Sequence, residues 1–268
     1  MLSLSLGPLA LSTAHLMLLV ALGVALWVAR RCPSLGGAGQ PDTVLFWLFV
    51  LALVVARLGF VVMYWAQYRD APLQIADIRD GGFLAWLGVI TAIVAIALRS
   101  WRVSSERRAL GLASVVGLSL WLSGMGVLHW QNGENRLPEL PLATAQGARA
   151  SLARYQGQPL VINLWASWCP PCRREMPALV AAQRQHPSVR FVYVNQGETP
   201  GTAAAFLGAS GVRMDDVLFD ATSALMQQVG ARALPTTLFY GADGRLLGSH
   251  LGALSPASLA QALEVFTP

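Results

Sequence analysis

Four long stretches in the first half of the chain are almost free of charge, and they restrict that half to a fold that lives in hydrocarbon. No charged side chain occurs from Met1 to Ala29, from Gly81 to Leu98 or from Ala109 to Val127, and Thr43 to Ala66 holds one, Arg57. Each stretch is long enough for a helix to cross a hydrocarbon core of about 30 Å. A soluble domain can bury one such helix, but a succession of four exceeds what a small core covers. The whole chain is 54% hydrophobic and 12% charged, against about 25% charged in an average soluble domain. An all-α, four-helix transmembrane domain is therefore expected over residues 1–130.

The arginines orient these spans. A cleaved signal peptide has its basic residues before the apolar core, whereas Arg30 and Arg31 follow the first stretch, so that span is expected to be retained. Arg99, Arg102, Arg107 and Arg108 lie between the third and fourth spans. Arg69 and Arg79, after the second, are offset by Asp70, Asp77 and Asp80. The positive-inside rule puts both basic loops in the cytoplasm and both chain ends outside it, in a compartment that permits disulfides. These arginines account for the net charge of +5, and no nucleic-acid partner is implied. Residues 131–142, QNGENRLPELPL, read as a short extended linker. Residues 143–268 suit one compact domain.

Within that last part, Trp168-Cys169-Pro170-Pro171-Cys172 stands between a strand-like run, Pro159 to Trp165, and a helix-like stretch ending at Gln185. Cysteines two residues apart can pair, and the first occupies a helix start whose unsatisfied N–H groups favour a thiolate. Such settings lower a thiol pKa from about 8.5 to roughly 3.5–7.5, so reversible dithiol–disulfide exchange is the expected chemistry. A zinc site would need further paired ligands, but the chain offers only Cys32 and scattered His15, His129, His186 and His250. A bridge across so short a loop also does little to constrain an unfolded chain. No metal or cofactor is implied.

Strands are expected at 159–165, 190–195, 216–219, 236–240 and 245–251, and helices at 170–185, 202–207, 222–229 and 256–266. Ala242-Asp243-Gly244 is expected to turn a hairpin between the last two strands. This order predicts an α/β sheet with helices on both faces, and it sets Cys169 at the C-terminal end of a central strand, where open α/β sheets hold their sites.

The stretch VINLWASWCPPCRREMP, residues 161–177, together with Leu234-Pro235-Thr236-Thr237, resembles the thioredoxin superfamily, and within it the TlpA and ResA-like membrane-associated thiol-disulfide oxidoreductases. The resemblance spans residues 143–268 and implies a thioredoxin fold in which Pro235 is cis and lies opposite the C-x-x-C. It implies that Cys169 attacks the client sulfur and Cys172 resolves the mixed disulfide, with Trp168, Pro170, Pro171, Leu234 and Pro235 shaping the client surface. Glu175 matches the glutamate that follows the family's second cysteine and is expected to take the resolving thiol's proton; the alternative is a solvated carboxylate in the first helical turn. Glu198 matches a further motif, and Asn163 stands where many thioredoxins carry a buried aspartate. A disulfide- or thiol-containing protein client and a DsbD-type membrane reductase as electron donor follow from the resemblance. Reduction is the expected direction and oxidation the alternative.

The first half has its own resemblance. SLGPLAL, Ala56-Arg57-Leu58-Gly59-Phe60, Ala71-Pro72-Leu73 and Asp80-Gly81-Gly82 are similar to the first part of bacterial prolipoprotein diacylglyceryl transferase. Trp86-Leu87-Gly88 stands where that family has a histidine followed by two glycines, and the later transferase spans have no counterpart before the linker. A lipoprotein-modifying transferase is thereby disfavoured, as a noncatalytic scaffold is by the C-x-x-C. Arg57, deep in the second span, is expected either to bind a membrane lipid headgroup or to pair within the bundle, because an isolated mid-membrane arginine costs at least about 2.5 kcal/mol. Cys32 is the one cysteine of this half, so the spans are expected to anchor the protein without conducting electrons.

Overall fold

The computed structural model describes residues 3–6, 9–32, 40–69 and 72–266. Gly7, Pro8 and Ala71, which the transferase resemblance uses, lie outside the described residues. The described residues fall into two compact units, one within Ala14–Ile78 and Gly82–Leu128, the other within Met1–Thr13, Arg79–Gly81 and His129–Pro268.

The first unit is helical. Its long helices are α1 (Thr13–Arg31), α2 (Pro41–Met63), α4 (Ala85–Arg102) and α5 (Arg107–Glu134), with a single turn α3 (Trp65–Tyr68) after α2. All four long helices have the length and apolarity to cross a membrane. Large apolar side chains such as Trp47, Val62 and Val115 face outward, as hydrocarbon solvent allows. Small residues set the helix contacts. A Cβ added at Gly117 would lie 2.9 Å from Ala25 Cβ, so α1 and α5 approach at a glycine, as membrane helices commonly do. The hydroxyls of Thr91 and Ser114 donate to carbonyls one turn back, Leu87 O and Leu110 O, and are thereby satisfied without water.

The expected first span begins later than the charge pattern indicates. Ser3–Leu6 (β1) and Leu9–Ser12 (β2) pair antiparallel, and the helix starts at Thr13. Hydropathy does not register this, because alternating Leu and Ser is as uncharged as a span, whereas a Gly-Pro pair in the sequence opposes a continuous helix.

The second unit is built on a sheet of order β4-β3-β7-β6-β5-β8-β9. Its strands are β3 (Pro141–Ala143), β4 (Arg149–Ser151), β5 (Leu160–Trp165), β6 (Arg190–Gln196), β7 (Asp216–Asp220), β8 (Thr236–Tyr240) and β9 (Leu246–Leu251). Central β5 runs parallel to β6 and antiparallel to β8. Alternate residues feed two cores. Val161, Trp165, Phe191, Tyr193 and Phe239 pack with α6 (Pro170–Gln185), α7 (Pro200–Ser210) and α9 (Pro256–Leu263). Leu160, Ile162, Leu164, Val192 and Leu238 pack with Leu152, Tyr155 and Leu225 of α8 (Ala224–Gln228). With both faces covered, β5 is buried at every position, which is why it reads as a continuous apolar run. This is an α/β thioredoxin fold following an all-α region with four membrane-type helices.

Two features depart from the sequence reading. The β3–β4 hairpin was not expected, since three-residue strands leave no periodic signal. The stretch 131–142 is also not a free tether. Helix α5 continues to Glu134, Leu137 N donates to Gly244 O, Leu246 N donates to Asn135 O, and Leu137 and Leu142 are buried. The polar, proline-containing composition concealed two apolar side chains that the sheet covers.

Arg57 is buried on α2 and donates to main-chain carbonyls: Nη1 to Gly82 O at 2.8 Å, and Nη2 to Asp77 O at 2.9 Å and Ile75 O at 3.1 Å. Its guanidinium carbon also lies within 6 Å of the ring centroids of Phe60, Tyr68 and Phe83. Hydrogen bonds to a charged group are worth about 1.5–3 kcal/mol each. Arg57→Leu should therefore raise proteolytic cleavage within residues 72–84 by about tenfold or more in membrane-inserted protein, with Arg57→Lys intermediate. Peptide mapping of the cleavage sites checks this, and an unchanged rate in Arg57→Leu would refute the anchoring role.

Candidate functional site

Strand β5 ends at Trp165, and the chain turns through Ala166-Ser167-Trp168, with Cys169 N donating to Ala166 O at 3.2 Å. Cys169 then becomes the N-cap of α6. Prolines suit the first positions of a helix, which have no internal acceptor for an N–H. The next free amide, Cys172 N, donates to Cys169 Sγ at 3.3 Å. The sulfur thus takes the place that a serine or aspartate oxygen usually fills at a helix start. Cys169 and Cys172 form a disulfide with Cα atoms 5.3 Å apart. Both are buried, at 3% and 0% exposure, while neighbouring Trp168 is 63% exposed. Pro170 is exposed and Pro171 half-buried.

The segment leading into β8 lies in the same unit. The Leu234–Pro235 peptide bond is cis. Pro235 is buried, its carbonyl accepts from Gly252 N at 2.9 Å, and Leu234 packs on the core cluster that contains both cysteines.

Glu175, one turn after Cys172, is not a solvated first-turn carboxylate, because it is 1% exposed. Its Oε1 accepts from Asn163 Nδ2 at 2.7 Å and its Oε2 from Leu254 N at 2.9 Å. Asn163 also donates to Thr237 Oγ1 at 3.0 Å, which ties the network across β5 and β8. Burial pushes the Glu175 carboxyl up to about 7, and the bonds from Leu254 and Asn163 only partly oppose it. A carboxyl shifted this far is only partly ionised near neutrality.

A second polar cluster surrounds Ser167. Glu198 accepts from Ser167 N at 2.7 Å, from Ser167 Oγ, and from Asn195 Nδ2 at 2.7 Å. Partial burial disfavours its charge, but these bonds and the nearby Arg173 outweigh that and hold the carboxyl below its ordinary range. Arg173 donates through Nε to Ser167 O. The sequence reading singled out Glu198 but neither Ser167 nor Arg173, and nothing in their spacing connects them.

Arg57 belongs to the helical unit, as described above, and Cys32 is a half-buried free thiol after α1. Among the described residues, no group of three or more His, Cys, Asp or Glu side chains is arranged to hold a metal ion.

Two family models match separate parts of the chain. The Redoxin family model matches residues 132–264, and the prolipoprotein diacylglyceryl transferase model matches residues 2–128. The thiol-disulfide oxidoreductase ResA of Halalkalibacterium halodurans is 26% identical over 129 residues, covering 47% of this chain and 73% of that protein. Sporulation thiol-disulfide oxidoreductase A of Bacillus subtilis is 26% identical over 160 residues, covering 55% of this chain and 96% of that protein. The C-terminal half of the chain thus matches the Redoxin family and has ResA-type thiol-disulfide oxidoreductases among its homologues, and the N-terminal region matches the prolipoprotein diacylglyceryl transferase family.

Proposed function

We propose that the protein is a membrane-tethered, extracytoplasmic oxidoreductase that reduces disulfides in client proteins through Cys169 and Cys172. The observation that carries this reading is the closed Cys169–Cys172 disulfide at the start of α6, with the Glu175 carboxyl buried one turn further along that helix. In the reduced protein, the Cys169 thiolate attacks one sulfur of the client disulfide, and the other client sulfur leaves as a thiolate. Cys172 passes its proton to the Glu175 carboxylate and attacks Cys169 Sγ, which re-forms the internal disulfide and releases the second client thiolate. Glu175 then returns its proton, by way of solvent, to a released thiolate. The client gains two electrons and the cysteine pair loses two. A DsbD-type membrane reductase, as donor, resets the pair. Exposed Trp168 and Pro170, with half-buried Pro171 and Leu234 and the cis Pro235, form the surface that meets the client.

The helical region serves as an anchor in the bacterial cytoplasmic membrane, surrounded by lipid. The placement of Arg30, Arg31, Arg99, Arg102, Arg107 and Arg108 supports a cytoplasmic location for the two basic loops and a periplasmic one for the Redoxin domain. Arg57 is assigned to holding the 74–82 segment, because the carbonyls there engage its guanidinium. We draw the domain boundaries at 1–130 and 143–268, with 131–142 as the connection, which finishes α5 and then packs against the sheet.

Three outcomes are expected. First, Cys172→Ser should accumulate a mixed disulfide through Cys169 that mass spectrometry detects, and Cys169→Ser should form none. In the wild type, redox equilibration should give a potential near about −270 mV, whereas one near about −120 mV would reverse the direction to oxidation. Second, a reporter enzyme active only outside the cytoplasm, fused after residue 268, should be active; cytoplasmic activity would overturn the topology. Third, Glu175→Gln should slow resolution by about 10- to 100-fold and flatten its pH dependence near 7. The sign for stability follows from linkage. Glu175 binds its proton more tightly folded than unfolded, so its contribution is full below about 4.5 and is lost as the pH rises through about 7. Wild type should thus weaken relative to Glu175→Gln over that window, by on the order of 2 to 3 kcal/mol in denaturant titrations.

A further inference from the structure

Ser167 lies two positions before Cys169, and two oppositely charged side chains take all three of its polar atoms. Glu198, in the loop after β6, accepts from Ser167 N and Oγ. Arg173, in the first turns of α6, donates to Ser167 O. Neither charged group is loosely placed. Glu198 is also held by Asn195, which is fully buried, and the Arg173 guanidinium lies 4.9 Å from the Phe206 ring centroid. A loop backbone ordinarily turns such groups to water or to its own turn; this one spends them on a carboxylate and a guanidinium from two other elements.

We propose that Glu198 and Arg173 are positioning residues for the redox pair: they clamp Ser167 from both sides, fixing how Cys169 is presented, and they bring opposed charges to the segment that enters Cys169. The inference rests on the reading of Cys169 as the exchanging cysteine. Other charged residues on the flanking elements are Arg174, Glu175 and Arg184 of α6, Arg190 at the start of β6, and Arg232 ahead of the cis-proline; β5 contributes none. Glu198 and Arg173 differ from these in that both bond directly to the segment entering Cys169.

Opposed charges give the clamp a signature that a purely mechanical brace lacks. Glu198→Gln removes a negative charge and leaves Arg173 unopposed, so the reduced Cys169 thiol should ionise at lower pH and the dithiol should become easier to hold reduced. Arg173→Gln should act in the opposite sense. Each change should move the midpoint by about half a pH unit, and Glu198→Asp, which keeps the charge, should restore most of it.

The test is the pH dependence of iodoacetamide alkylation of the reduced full-length protein in detergent, read at the Cys169 peptide by mass spectrometry so that Cys32 does not contribute, together with the redox potential of each variant. Shifts of opposite sign in Glu198→Gln and Arg173→Gln support the inference. Shifts of the same sign, or none, overturn it, even where thermal stability falls. If Glu198→Gln does not fold, Arg173→Gln, at an exposed position of α6, still decides by the sign of its shift. Wild-type protein that fails to exchange disulfides would instead defeat the underlying reading of Cys169, so the two failures are separable.

Discussion

A helix start capped by a sulfur is the constraint on which the rest of the site depends. Helix α6 must leave its first amides without internal partners, and in this chain Cys172 N spends its proton on Cys169 Sγ. That contact draws the two cysteines to one end of the helix, where the peptide dipoles favour negative charge on the first sulfur. It requires the helix to begin at residue 170, which the two prolines favour. It also requires a rigid base, and β5, buried along its whole length between two cores, supplies one.

Burial beneath the cysteines has a cost that serves the chemistry. Asn163 on β5 is neutral where many thioredoxins carry an acid, and the acid stands instead on α6, as Glu175. Two donors reach its carboxylate, too few to offset the loss of water, so burial outweighs them and pushes the carboxyl up to about 7. Glu198 shows the opposite balance. It is nearer solvent and has three donors and a nearby arginine, so it stays charged. Two glutamates of one domain are thus shifted in opposite directions by their surroundings alone.

The legibility of these features followed the range over which they act. The C-x-x-C between an apolar run and an amphipathic helix is a local pattern, and so are the main strands, the 242–244 turn and the four membrane-type helices. Helix α7 runs from Pro200 to Ser210, longer than the expected 202–207, because the Pro-Gly start and Gly-Ala-Ser end carry little periodic signal. The cis state of Pro235 rested on the family resemblance, since a proline at a strand start reads as a turn marker. What composition did not reveal is long-range. Leu254 N reaches Glu175 across 79 residues, and Ser167 meets Glu198 across 31. No periodicity encodes those pairings, because the sheet order and not the spacing brings them together.

The helical region obeys a different economy, and this bears on what it is for. In hydrocarbon there is no gain from gathering apolar side chains, so helix contacts rest on close packing and on satisfying polar groups internally. Gly117 against Ala25 and the carbonyls that receive Arg57 meet those two needs. Both features hold helices and a connecting segment in place and need no bound substrate to account for them. After Asp80-Gly81-Gly82, where the family resemblance calls for a histidine, stands Trp86, an exposed side chain in the first turn of α4 whose indole has no basic nitrogen to take up a proton. A region that retains the means of packing and has tryptophan at that position agrees with the proposed role of an anchor, and the cysteine pair lies in the other domain.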